Sequence, residues 1–520
     1  MRNPLRRKAI PQGQVSVVKS YSAPVGGWNA RDALSAMKPT DAITLENWFP
    51  STSYVEIRGG YVDHATGMTG NGKTLMTYNA MTGTNSMFCS TASGVYDVTS
   101  AGAVGASVAA RTDGKHNWTM FGDGTSNWLI AANGVDAPLY YDGSTWTAVT
   151  GATSPALTGL TTTEIIAPHM HKGRLFFIQK DTLAIWYLAA GAAGGALTKF
   201  DLQGEAKRGG YLMAMATWTR DAGDGADDVA VFITSEGEAI VYQGNNPSVA
   251  ANWAKIGSYY IGKPLGRRCA TQYGGDVLIL TENGTFPLSA AMQSAIIDNK
   301  MAISFKIENA FTETARTSGS VFGWKPIVYP GHAALIVNVP IAEDGEHEQY
   351  VMNTITKAWC RFKEWDAEDF GILNGELYFT TGTKVVKAWT GLIDGANNIV
   401  AYGKTAFSYF DSPGSQKQFK MFRPVLNVNG SLSFLTDIDV DFQDGIIAGS
   451  ATYAISAGGQ WNVSNWDGAN WSAALEVVKR WTSPSEWQGY SAAGKIKIET
   501  NTLTVQWMAN DFMFERGGQL

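Results

Sequence analysis

Gly67-Met-Thr-Gly-Asn-Gly-Lys-Thr74 has the G-x-x-x-x-G-K-[ST] spacing of a phosphate-cradling loop. That chemistry needs a strand running in and a helix running out, so that backbone N–H groups and a helix N-terminus converge on the phosphates. The residues that follow, Leu75-Met-Thr-Tyr-Asn-Ala-Met-Thr-Gly83, are rich in Thr and Tyr and stop at a glycine, which predicts a strand. Lys73 is therefore read as part of a loop entering a hairpin. A nucleotide-dependent enzyme would rest on this stretch alone.

Other constellations are equally incomplete. Asp221, Asp224, Asp227 and Asp228 lie in a glycine-rich loop that offers oxygen ligands, but the spacing is not that of an EF-hand and no bidentate Glu follows. A solvated turn before a strand at Val229 fits better. His169 and His171 project from one face of a strand and could begin a metal site, yet no third ligand is identifiable. Asp142-Gly-Ser-Thr-Trp146 approaches the Asp-box turn of sialidase-type propellers, with its glycine one place early. Glycoside hydrolysis also needs two carboxylates at a set separation, which this motif does not supply. Cys89, Cys269 and Cys360 are odd in number and far apart, as expected of buried thiols in a chain folded in a reducing cytoplasm. No catalytic, cofactor-binding or metal-ligating residue is assigned, and no cofactor is expected.

The elements around these residues are short strands. Glycine is abundant at 57 of 520 residues, aromatics reach 12%, and charged residues fall to 17%, a balance that favours tight turns over long helices. From about Lys73 onward hairpins recur. Taking the aromatic of each return strand as a marker, Tyr96, Tyr141, Tyr187, Tyr242 and Phe286 are separated by about 45, 46, 55 and 44 residues. A recurrence near 40 to 50 residues with about four strands per unit is the signature of a β-propeller. The predicted fold is all-β, a degenerate β-propeller of about six blades, five or seven also being compatible, with an additional antiparallel β platform domain.

Residues 1–70 are expected to form an N-terminal arm and leader that is part of the platform, 71–411 the propeller, and 412–520 the domain that completes the platform. In the leader, Asp41 to Trp48 is read as a helical turn with Thr40 or Asp41 as N-cap and Ile43, Leu45 and Trp48 turned inward. Ser412-Pro-Gly-Ser-Gln-Lys-Gln418 reads as a linker or exposed loop. Trp461, Trp466, Trp471, Trp481 and Trp487 mark the last domain and suit core or interface positions.

A net charge of -6 argues against a dedicated nucleic-acid binder with a basic face. The obvious basic cluster is Arg2, Arg6, Arg7 and Lys8, which fits either a solvated tail or an arm ordered by a partner. Ala9-Ile-Pro-Gln-Gly-Gln14 lacks the apolar stretch of a secretory signal, and the low-polarity run Tyr187 to Leu197 is too short and glycine-rich to span a bilayer. Membrane insertion is not expected.

Several stretches resemble the tail nozzle, or tail tubular, proteins of short-tailed bacteriophages. They are Gly27-Trp-Asn-Ala-Arg-Asp32, Asp41 to Pro50 with its Glu-Asn-Trp-Phe-Pro, Arg58-Gly-Gly-Tyr61, Asp224 to Pro247, Gly274 to Ser289 and Phe514-Glu-Arg-Gly-Gly518. The resemblance implies a propeller with an added β platform, assembled as a homohexameric ring beneath the portal and adaptor. It implies a non-enzymatic virion protein, assembled in the host cytoplasm, that extends the conduit for double-stranded DNA. Such a ring helps retain and release the genome and docks tail fibres or spikes. An acidic chain suits a conduit, because tight phosphate contacts would hinder DNA movement. The alternative is a carbohydrate-binding or glycan-cleaving propeller for host recognition.

Overall fold

The computed structural model describes residues 16–219, 228–292, 298–447, 449–453, 475–478, 480–485 and 488–519. The basic cluster Arg2 to Lys8, most of the Asp221 to Asp228 loop, and Trp461, Trp466, Trp471 and Trp487 lie outside these residues. Strands account for 51% of the structure and helix for 6%, so the all-β expectation holds. The chain forms two compact units, one comprising 28–31 and 58–399, the other 1–27, 32–57 and 400–520.

The first unit is a β-propeller. Among the described residues, seven sheets follow one another, and each begins with a strand that lies against the first strand of the next. These inner strands are Thr74–Tyr78, Asn117–Gly122, Ile165–His171, Leu212–Thr219, Ala270–Tyr273, Lys325–Tyr329 and Asp369–Leu373. The last touches the first, so the ring is closed. The blade count is thus seven, the upper end of the expected five to seven. The spacing of return-strand aromatics does not reveal the seventh blade, whose outer strand comes from the opposite end of the unit. Tyr61–Thr66 pairs antiparallel with Lys384–Ala388, beside Glu376–Thr381 and Asp369–Leu373. This exchange ties the two ends of the propeller together without a covalent link, and it places the unit boundary at 57/58 where 70/71 was expected.

The Arg58-Gly-Gly-Tyr61 stretch makes that closure possible. Arg58 donates Nη1 and Nη2 to the two carboxylate oxygens of Asp394 at 2.8 and 2.7 Å, and Nη2 also reaches the Lys363 carbonyl at 2.7 Å. Both side chains are buried, a setting in which a bidentate pair fixes geometry more than it adds net stability. Gly60 passes so close to the 391–397 loop that a Cβ there would lie 2.0 Å from the Ile393 carbonyl oxygen. Any side chain would have to displace backbone. Between blades the core is aromatic and aliphatic. Trp253 stacks on Tyr242 at 5.4 Å within a cluster that includes Ile178, Ile185, Phe232 and Ile240. Each fully buried side chain of this kind contributes about 1.5–3 kcal/mol relative to exposure.

The second unit has two runs of strands. One is ordered Glu476–Val478, Ser415–Val428, Val505–Gln519, Val55–Ile57, Trp48–Pro50, with Val17–Ser22 also paired to Val505–Gln519. The other runs Asp41–Glu46, Ile399–Thr405, Ala492–Thr500, Leu432–Val440, Ser450–Tyr453. Phe419, Phe422, Phe512 and Phe514 from the first run pack with Ile438, Val440 and Ala492 from the second. Ser415–Val428 alternates buried and half-buried residues, and a register shift between Phe419 and Met421 resets the phase so that Phe419 and Phe422 both face the core. Gly403 lets Trp507 approach the backbone, since a Cβ there would lie 2.6 Å from its ring.

Two local expectations are corrected. Asp41–Glu46 is a strand, not a helical turn, because Ile43 and Thr44 are β-branched and Asn47, at a φ of 58°, breaks the backbone before Trp48–Pro50. Leu45 and Trp48 are buried all the same, while Ile43 is only half-buried. In the 412–418 stretch, residues 412–414 form a turn with Pro413 and Gly414 exposed, and Ser415 already begins the strand Ser415–Val428, so the stretch is not a linker. Lys417 is buried there and donates to the carbonyls of Ser412, Ser415 and Tyr490 at 2.7, 2.8 and 2.8 Å.

Candidate functional site: the axial channel of the propeller

A cavity of about 380 Å³ runs along the propeller axis, and every blade contributes to its wall. Thr77, Trp118, Ala167, Met215, Thr271, Ile327 and Gly371 come one from each inner strand. It opens toward two wider spaces, of about 540 Å³ and about 550 Å³. The larger of these lies beside His169, Thr217 and Gln272, the other beside Arg267, Arg268 and the 319–324 segment.

The electrostatic centre of the channel wall is Asp369, which is fully buried at the start of the seventh blade. Its Oδ1 accepts from Lys325 Nζ at 2.8 Å, and its Oδ2 lies 2.9 Å from Arg268 Nη1. Oδ2 also accepts the Leu75 backbone N–H at 2.9 Å, so the carboxylate joins the last blade to the first. Lys325 spends a second donor on the Phe370 carbonyl at 2.7 Å. Burial pulls the Lys325 ammonium below its ordinary pKa, with Asp369 opposing. The Arg268 guanidinium lies over the Phe322 ring at 4.2 Å, and its Nη2 has no hydrogen-bond partner among the described residues.

The residues singled out from sequence are not gathered into this channel as a set. Lys73 sits in a loop that leads into the strand Thr74–Tyr78, with no helix following. Its Nζ is 2.5 Å from Asp344 Oδ1 and 3.1 Å from Glu368 Oε1, so the ammonium is engaged by protein carboxylates. His169 Nε2 and His171 Nδ1 both bond Thr217 Oγ1 at 3.0 Å. Burial, the main cause, lowers these imidazoles to about 3 and about 4, which keeps them neutral. His169 does line the channel. Asp142 is a turn residue, accepting the Ser144 and Thr145 N–H groups at 2.8 and 2.7 Å. Cys89, Cys269 and Cys360 are free and buried, and desolvation pushes the Cys89 and Cys269 thiols up to about 12. They are not activated nucleophiles. Among the described residues, no group of three or more His, Cys, Asp or Glu side chains is placed to hold a metal ion.

Sequence reasoning missed Arg268, Lys325 and Asp369. The adjacent pair Arg267-Arg268 was a visible signal. Its partners lie far along the chain and meet only because the ring closes.

No family profile matches the chain, and no curated protein does. Among solved structures it is similar to the extracellular domain of a hybrid two-component system from B. thetaiotaomicron, at 11% identity and a TM-score of 0.39. That match covers 64% of this chain and 45% of the other, so the chain spans under half that protein's length. It is also similar to YCF48 bound to D1 peptide, at 10% identity and a TM-score of 0.37, covering 68% of this chain and 99% of that one. The Swd1 β-propeller domain of Myceliophteria thermophila matches at 11% identity and a TM-score of 0.37, with coverages of 63% and 98%.

Proposed function

We propose that this chain is a structural, non-enzymatic subunit of a short-tailed bacteriophage tail, a nozzle protein that assembles into a homohexameric ring below the portal and adaptor. The observation that carries the reading is the way the chain is divided. A propeller of residues 58–399 is inserted into a β unit made from both flanking segments, where Val17–Ser22 pairs with Val505–Gln519. A propeller with an added β platform is what the resemblance in Gly27 to Asp32, Asp41 to Pro50 and Arg58 to Tyr61 implies. The platform unit also leaves Val18, Leu435, Ile446, Val477 and Met508 exposed, Ile446 by 90%, as suits a surface covered by neighbouring subunits.

The axial channel is not the DNA conduit in this reading. A cavity of about 380 Å³ is on the scale of a small ligand, whereas the major groove of a duplex alone is about 12 Å wide. The conduit is the lumen enclosed by six copies, and the chain's acidity limits adhesion of DNA to it. Tail fibres or spikes dock on its outer surface, in the virion, after assembly in the host cytoplasm. Negative-stain imaging with mass measurement of the purified chain, alone and with adaptor, tests this. Six-fold rings are expected. A monomer that persists beside the adaptor, or that cleaves glycans, overturns the reading.

A further inference from the structure

Three cations and one carboxylate meet in the channel wall. Asp369 is shared between Lys325 and Arg268, which leaves that trio with one positive charge in excess. Arg267, the next residue, lines both the channel and its mouth and makes no hydrogen bond or ion pair with the described residues. Nearby charges do not cancel this. Lys115 is held by Glu343 at 2.5 Å, and Lys180 faces the same mouth as Asp113. The excess is therefore about two charges, focused where water is restricted.

The Arg268 side chain is 9% exposed, yet its Nη2 is a buried donor with nothing to bond among the described residues. An unmatched buried donor of this kind is destabilising, and a nearby anion offsets its charge. The Phe322 ring lies against the Arg268 guanidinium, whose nitrogens are sealed in the wall and add charge to the cavity without facing it.

We propose that the mouth of the propeller channel is a binding site for a small tetrahedral dianion, inorganic phosphate or a phosphomonoester, held by Arg267 and attracted by the charge of the buried Arg268 beside it. A dianion matches the surplus charge where a monocarboxylate leaves half of it uncompensated. Guanidinium forks suit the tetrahedral oxyanion. The space of about 540 Å³ at the mouth admits a phosphomonoester of modest size but no polymer.

The test is isothermal titration of the full chain at low salt with inorganic phosphate, glycerol phosphate and acetate. Saturable phosphate binding with one site per chain is expected, with acetate at least tenfold weaker. Tighter binding of glycerol phosphate assigns the occupant to the phosphomonoesters, and tighter binding of phosphate assigns it to the free ion. Arg267→Gln, which removes no hydrogen bond or ion pair among the described residues, should fold normally and bind phosphate at least tenfold more weakly. Absence of saturable phosphate binding, equal affinity for acetate, or unchanged affinity in a folded Arg267→Gln chain each overturns the proposal.

Discussion

Each of the two units buries one carboxylate between two cations, and the two clusters end differently. In the platform, fully buried Asp439 is ion-paired with Lys495 and, at 2.6 Å, with Lys404. Lys404 also reaches Asp444 at 2.9 Å, and Lys495 donates to the Gly445 carbonyl at 2.6 Å. Two cations there meet two carboxylates and the set closes. In the propeller, Asp369 meets Lys325 and Arg268 with no second acid among the described residues, and one buried guanidinium nitrogen has no hydrogen-bond partner there. The same motif is thus a sealed structural node in one unit and a charged wall in the other. Charge stoichiometry separates the two roles, and burial does not.

Removing the shared acid should show this most strongly. Asp439→Asn strands two buried lysines, with only the exposed carboxylate of Asp444 left to face Lys404. A loss of about 3–5 kcal/mol is expected in denaturant unfolding. Asp369→Asn should cost less, because Arg268 and Lys325 adjoin the channel, and added phosphate should restore part of the loss. Phosphate that stabilises both variants equally, or neither, breaks the distinction.

A pH series divides the units next. All six histidines, His64, His116, His169, His171, His332 and His347, belong to the propeller unit. Burial lowers His116 to about 4, as it lowers His171 to about 4 and His169 to about 3, from an ordinary value near 6.5. The unfolded chain therefore binds more protons than the folded one once the pH drops below about 6.5. Their contribution to stability is complete above that value and drains away as the pH falls through the folded values. Each histidine accounts for about 1.4 kcal/mol per pH unit within the window. Tryptophan fluorescence of the separate transitions should show the propeller losing stability first between pH 6.5 and 4, and His116→Gln should flatten its slope. A platform that melts first on acidification contradicts this.

How much of this was legible follows from how far apart the partners sit. Hairpins such as Thr74–Tyr78 with Ser86–Thr91 are local, and their alternation and glycine turns were readable directly. The outer strand of the seventh blade, the pairing of Val17–Ser22 with Val505–Gln519, and the Asp369 cluster join residues hundreds of positions apart. No spacing encodes those contacts. Asp41–Glu46 was misread because its apolar residues fit a helical turn as well as a strand, and the β-branched pair Ile43-Thr44 decided the matter. The anion site was hidden because its signal is a charge surplus, which exists only after closure has shown which acids are already used.

A third cluster tests whether stoichiometry is the right variable, with the smallest expected effect. Lys73 is one cation facing two carboxylates, Glu368 with a side chain 4% exposed and Asp344 at 43%. This inverts the ratio at Asp369, so the site should repel anions where the channel mouth attracts them. Lys73→Met removes the ion-pair partner that Glu368 has among the described residues. A loss of about 1–3 kcal/mol is expected in denaturant unfolding at neutral pH. Phosphate affinity and any response to nucleotides should be unchanged. If Lys73→Met instead abolished a measurable nucleotide hydrolysis, the Gly67 to Thr74 spacing would have to be taken as a phosphate loop, and counting charges would have failed to tell a structural cluster from a binding one.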